Sequence, residues 1–406
     1  MHRPASAEME VRRGRRNGSW LSPRVYYALA AVFALIAVLF PSWGGLLFSP
    51  HEIDFRYFWF AGYMWAHGLD PYLPAYAKLG NSLLPVGSKL QMWLYPPDWW
   101  PVARALALLD LPTSLIVWRF VASGLMIVAT AAVTWVLTPR VDLPRRVALT
   151  AFACALASVI EPTRMMLSGQ VSSVVIYVGV ALIVCAQATR NRALLVAGLI
   201  LLTFKPQVGA VAFVAFAIAD PKAVLYALIG CLILALPQFT AFGFLNTIRE
   251  MIAGYPNYAA WPGNSALAMT GPAQLLGRLG IDVPALLFLP AAFLTAIAAG
   301  VVMRREGQQL PGAALLLAGI AAFVPLHNYD MEMLLILAIL LLRCGAPLIA
   351  VAAGAVLIVK PGWQEKGAIV YANVSQGAIS YSIAGLIFLA LAIRVILRRQ
   401  PRTPSA

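Results

Sequence analysis

Long apolar runs recur along the whole chain, separated by short polar stretches rich in proline, glycine and basic residues. Runs of this kind predict helices that cross a hydrocarbon layer about 30 Å thick. They begin near residues 25, 113, 147, 171, 193, 207, 223, 284, 311, 331, 346 and 377. No stretch is dominated by period-two alternation, which argues against a β-barrel. Two runs, 193–204 and 331–343, are short for a crossing and read as broken, re-entrant or extended by polar residues. The expected fold is an all-α polytopic membrane protein with about twelve transmembrane helices. The longest interruption, 41–112, is expected to lie outside and to contain interfacial helices. Its Phe55–His67 stretch reads as amphipathic, with Tyr and Trp at headgroup depth. A second outer loop covers 241–283.

Composition supports this reading. The chain is 61% hydrophobic and only 11% charged, which excludes an ordinary soluble domain. The net charge of +14 could suggest nucleic acid in a soluble protein. Here the basic residues sit in the tails and short loops, where topology and anionic lipid headgroups account for them, so no nucleic-acid partner is expected. Arg140 with Arg145 and Arg146, Arg190 with Arg192, Lys222, Arg304 with Arg305, Arg343, and Arg398 with Arg399 can all lie inside. That gives a basic cytoplasmic tail over 1–24, a membrane domain over 25–397 and a cytoplasmic tail over 398–406, in the cytoplasmic membrane. The cluster Arg12, Arg13, Arg15 and Arg16 before the first run also resembles a signal peptide, but no small-residue cleavage site follows, and the run reads as an uncleaved span. Cys154, Cys185, Cys231 and Cys344 fall inside expected spans without metal-ligand spacing and read as small core residues. No GxxxxGK[ST] or HExxH motif is present.

The polar residues of unusual character gather on the expected outer side. Asp54 follows the first span beside Arg56 and several aromatics, with Glu52 as its near rival. A carboxylate there can act as a general base toward a hydroxyl, or simply cap the following helix. Lys205, before Pro206, and His327, at the outer end of a span, suit a phosphate group. Lys205 can equally snorkel to headgroups, and His327 can be a satisfied helix-end residue. Arg164, near Gln170, is a third phosphate-binding candidate. Tyr72 and Tyr95 sit in the rigid segments Asp70-Pro71-Tyr72 and Tyr95-Pro96-Pro97, which suit sugar stacking or interfacial anchoring. Asn264, with Ser265, can hydrogen-bond a sugar or form a turn. No metal site is assigned, although Asp54, Glu52 and outer-loop aspartates could meet in space.

The ordered set Asp54-Phe55-Arg56-Tyr57, Gly68-Leu69-Asp70-Pro71-Tyr72, Tyr95-Pro96-Pro97, Gly169-Gln170, Lys205-Pro206, Asn264-Ser265 and His327 resembles glycosyltransferase family 87. Each motif is short, and their order over about 50–345 carries the likeness. The resemblance implies a GT-C-type bundle and an inverting transfer from a polyprenyl-phosphate sugar, most often mannose, to a glycolipid or glycan acceptor on the outer face. Arabinofuranose is the alternative sugar. It further implies Asp54 as base, Lys205 and His327 (with Arg164) at the donor phosphate, and Arg56, Tyr72, Tyr95, Gln170 and Asn264 toward sugar or acceptor. No cofactor is implied, and a monomer is expected among membrane lipids. The segment His327-Asn328-Tyr329-Asp330 departs from the commoner aromatic-rich version of that motif. A transporter or flippase of lipid-linked sugars is the rival from another class.

Overall fold

A computed structural model describes residues 21–47, 53–84, 90, 92–160, 169–259, 264–359 and 370–398. Side chains are described throughout these except at 40–47, 53–54, 257–259, 358–359 and 370–378. Among the described residues the fold is entirely helical. The first half contains α1 (Pro23–Leu47), α2 (Ile53–Ala66), α3 (Ala75–Leu83), α4 (Trp100–Leu106), α5 (Leu111–Leu137), α6 (Leu143–Val159) and α7 (Val171–Thr189). Then come α8 (Arg192–Thr203), α9 (Pro206–Ala219), α10 (Pro221–Phe242), α11 (Phe244–Ala259) and α12 (Pro272–Arg278). The chain continues through α13 (Leu289–Met303), α14 (Gln309–Phe323), α15 (Met333–Arg343), α16 (Leu348–Val359) and α17 (Val370–Arg398). Short 3₁₀ turns cover Pro97–Trp99, Ala285–Phe288 and Asn328–Glu332.

Local chemistry sets these boundaries. Asp110, Asp142, Asn191 and Asp220 each precede a helix and accept hydrogen bonds from backbone N–H groups of its first turn. These would otherwise be orphan donors. Prolines occupy the first turns of α5, α6, α9 and α10, where their missing N–H costs nothing.

Five helical segments are long and apolar enough to cross a membrane: Leu111–Leu137, Val171–Thr189, Pro221–Phe242, Ala285–Met303 and Ile379–Arg398. Shorter apolar helices accompany them at Pro23–Leu39, Arg192–Thr203, Pro206–Ala219, Gln309–Phe323 and Leu348–Leu357. The short run expected at 193–204 is thus a helix of about 18 Å. It pairs with α9: Arg192 donates to Asp220 Oδ2 at 2.7 Å, so α8 and α9 start and finish at the same level and Phe204-Lys205 forms their apex.

Burial separates a central helix from peripheral ones. The membrane-length window of α7 is 78% buried against 22% for that of α10, so α7 lies inside the bundle, as does the shorter α14, and α10 faces outward. Leu225, Leu228, Ile229, Leu232, Ile233 and Leu236 make an exposed apolar stripe along α10, at the i, i+3, i+4 spacing of one helix face. Such a stripe fits hydrocarbon rather than water.

The amphipathic helix expected over Phe55–His67 packs closely on the rest of the protein. It is present as α2, and Phe55, Arg56, Phe58, Phe60, Ala61, Met64 and Trp65 on it are buried against protein. Gly62 allows the approach: a Cβ at this position would stand 1.8 Å from the Ala103 carbonyl oxygen on α4. The four cysteines are free thiols, three of them buried.

Candidate functional site

The site is best built from the apex of the α8–α9 hairpin. Lys205 is 6% exposed there and forms an ion pair with Asp330, which is 2% exposed. Asp330 sits in the 3₁₀ turn that leads into α15. Ser173, in the first turn of α7, donates its hydroxyl to Asp330 Oδ1 at 2.8 Å. The backbone N–H of His327 donates to Asp330 Oδ2 at 3.0 Å. One carboxylate therefore gathers an ammonium, a hydroxyl and a backbone amide from three separate elements. This matches the need of a buried charge for a partner and full hydrogen bonding.

His327 stacks on Tyr329 with ring centroids 4.9 Å apart, and Lys205 Nζ lies 5.6 Å from the Tyr329 ring centre. Burial pushes the imidazole down to about 4, with Lys205 adding to the shift and Asp330 opposing it. His327 is consequently neutral near pH 7 and acts as a hydrogen-bonding group rather than a cation. The Lys205 ammonium is balanced by the Asp330 carboxylate. The cluster offers oriented donors with little net charge.

A second buried carboxylate supports the same apex. Asp98 accepts from the Thr203 hydroxyl at 2.7 Å, and Trp99 Nε1 donates to the Phe204 carbonyl at 2.9 Å. Burial pushes Asp98 up to about 6, against the lowering effect of the Thr203 bond. Aromatic rings carry the connection onward to α2. Phe58 lies 4.4 Å from Trp99, and Trp99 lies 4.5 Å from Phe204. Phe58 is one helical turn after Asp54, so the helix bearing Asp54 is packed through two rings onto the residue beside Lys205.

The structure brings Lys205 and His327 together, and joins Tyr95 to the block of Phe58, Trp93 and Trp99. Gln170 precedes α7 three positions before Ser173 and is partly buried. Asn264 opens a segment whose Thr270 bonds the Leu326 carbonyl through both its N–H (2.7 Å) and its hydroxyl (3.0 Å), next to His327. Arg56 is buried on α2. Tyr72 corrects an expectation: it is fully buried and donates its hydroxyl to the Tyr95 carbonyl at 2.7 Å, so it shapes the loop and offers no open face to a sugar. Asp54 lies in the first turn of α2, so it is within the helix and not ahead of it; its side chain lies outside the described ones. Arg164 and Glu52 lie outside the described residues.

Sequence reasoning missed Asp330, Ser173, Asp98 and Thr203 as members of the cluster. A signal existed for the first and third. Only 16 acidic residues occur in the chain, and any carboxylate near a membrane segment requires a named partner. No signal singles out Ser173 or Thr203 among many similar hydroxyls.

A separate network ties α2 and the segment after it to α10 and α11. Gln238 accepts from Trp65 Nε1 at 2.5 Å and donates at 3.1 Å to both Asp70 Oδ1 and Thr247 Oγ1. Among the described residues no group of three His, Cys, Asp or Glu side chains is arranged to hold a metal ion. No protein-family model, curated protein or solved structure matches the chain.

Proposed function

We propose that the protein is a membrane glycosyltransferase that moves a sugar, mannose in the first instance, from a polyprenyl-phosphate donor to an acceptor hydroxyl on a glycolipid or glycan. The reading rests on the ordered motifs of the sequence. Its structural support is the Lys205–Asp330–His327–Ser173 cluster, buried at the end of the bundle opposite the arginine-rich turns and tied through Trp99 and Phe58 to the helix that carries Asp54. In this reading about twelve spans place that cluster at the outer face of the cytoplasmic membrane.

The chemistry follows. Asp54 takes the proton from the acceptor hydroxyl as its oxygen attacks the anomeric carbon. The bond from that carbon to the phosphate oxygen breaks, and the lipid phosphate leaves carrying the negative charge. Lys205 Nζ and the neutral His327 ring present N–H groups to it. A single displacement inverts the anomeric centre. Because Asp330 already holds Lys205, the donor phosphate must share that ammonium with Asp330, and the cluster is organised before the donor arrives.

Purified protein supplied with radiolabelled polyprenyl-phosphate mannose and glycolipid acceptors is expected to give labelled product. Transfer from a polyprenyl-phosphate arabinofuranose donor alone would keep the mechanism and change the sugar. Movement of lipid-linked sugar across vesicles with no transferred product would replace the reading with a flippase.

A further inference from the structure

The opposite end of the bundle holds a cavity of ≈ 510 Å³ where the turns α7–α8, α9–α10 and α13–α14 converge. Gln187, Arg190, Arg192, Asp220, Arg304 and Gln309 line it, over apolar walls that include Phe216 and Met303. Three arginines from two turns therefore face one volume. Only one of them is neutralised there, since Arg192 pairs with Asp220 at 2.7 Å. Arg190 and Arg304 have no acidic partner within ion-pair distance among the described residues. Topology alone explains why arginines occur in these turns. It does not explain why they surround an open volume rather than scatter over the surface.

The backbone adds an independent observation. Arg190 adopts φ 56, ψ 34, and it is the only non-glycine residue with positive φ among the described ones. Glycine is the residue suited to this helix-terminating conformation. A bulky side chain held in a disfavoured backbone state points to a use for that side chain.

We propose that this cavity is a phosphate-binding site, with Arg190 and Arg304 as its charged donors and the apolar walls accommodating the first carbons of an attached lipid. Guanidinium groups match a phosphate geometrically, and basic pockets between membrane helices suit anionic headgroups. The phosphate can come from an anionic phospholipid or from a soluble phosphate. The proposal does not depend on the transferase reading.

The test is thermal unfolding of the full-length protein in neutral detergent, followed by tryptophan fluorescence. It is run with dioctanoyl phosphatidylglycerol, dioctanoyl phosphatidylcholine, inorganic phosphate or no addition. The anionic lipid is expected to raise the unfolding temperature and the zwitterionic lipid not to. An equal rise with inorganic phosphate would support the site and assign it to soluble phosphate. Arg190→Gly is the decisive variant, because glycine relaxes the backbone and the protein should fold at least as well. It is expected to bind the anionic lipid about fivefold more weakly, the effect of one lost cation near a phosphate-bearing surface. Arg304→Gln should do the same, and Arg249→Gln, exposed outside the cavity, should not. Equal shifts from both lipids without a phosphate response, or an undiminished shift in Arg190→Gly, would overturn the proposal.

Discussion

At the end of the bundle that carries Arg190, Arg192 and Arg304, these three arginines are exposed and the Arg192–Asp220 ion pair has its guanidinium half in solvent. At the other end Lys205, Asp330, Asp98 and Glu332 are each less than a tenth exposed. The same few charged residues are thus used in two ways. Exposed arginines keep their hydration and cost the fold little. Buried charges survive only as parts of a network, and such networks mark chemistry more often than stability. This contrast, more than any single motif, is what directs attention to the Lys205 end.

The difference can be broken directly. Asp330→Leu leaves Lys205 buried without its carboxylate and strands two further donors, and is expected to destabilise by about 3–5 kcal/mol. Lys205→Met leaves Asp330 with Ser173 and the His327 amide and should cost less, about 1–3 kcal/mol. The double variant should recover part of the loss. Equilibrium unfolding in mixed micelles reads all three. Next in size is Gly62→Ala, which pushes α2 away from the Ala103 carbonyl; overpacking against backbone costs about 1–3 kcal/mol. Disulfide trapping between α2 and α4 would detect the shift.

Two titrations sharpen the comparison further. The folded value of His327 lies below its ordinary 6.5, at about 4, so the unfolded state binds the extra proton between them. His327 alone therefore makes stability fall as pH drops through that window. The folded value of Asp98 lies above its ordinary 3.8, at about 6, so Asp98 alone makes stability fall as pH rises from 3.8 to 6. The wild type should be nearly flat between pH 4 and 6, where the two effects oppose. Asp98→Asn should lose stability on acidification through that range, and His327→Gln should gain it, each with a slope of up to about 1.4 kcal/mol per pH unit. Parallel slopes in the two variants would contradict the assignment. The smallest effect is expected at the exposed end, where Arg192→Gln should cost under about 1 kcal/mol and lose even that in high salt.

Much of the helical framework was legible in the sequence, because apolar runs, first-turn prolines and capping residues such as Asp110 and Asn191 act within a few residues of each other. The helices begin within about five residues of the expected starts, including those of the short runs, except the last, which begins at Val370 rather than near 377. What the sequence did not disclose is long-range. The α8–α9 hairpin is closed by Arg192 and Asp220, 28 positions apart, and Lys205 meets Asp330 across 125 positions. No local pattern encodes such a pairing. The burial of Tyr72 and of much of α2 is hidden for a related reason. An aromatic-rich stretch looks the same whether it faces headgroups or packs on Trp93 and Trp99.

The most direct test of the central claim compares Asp54→Asn with the wild type for two quantities on the same preparation: binding of polyprenyl-phosphate mannose and formation of glycosylated product. The account predicts unchanged donor binding with product formation lower by about 10²–10⁴-fold, the share a general base contributes. Product formation by Asp54→Asn at the wild-type rate would contradict it.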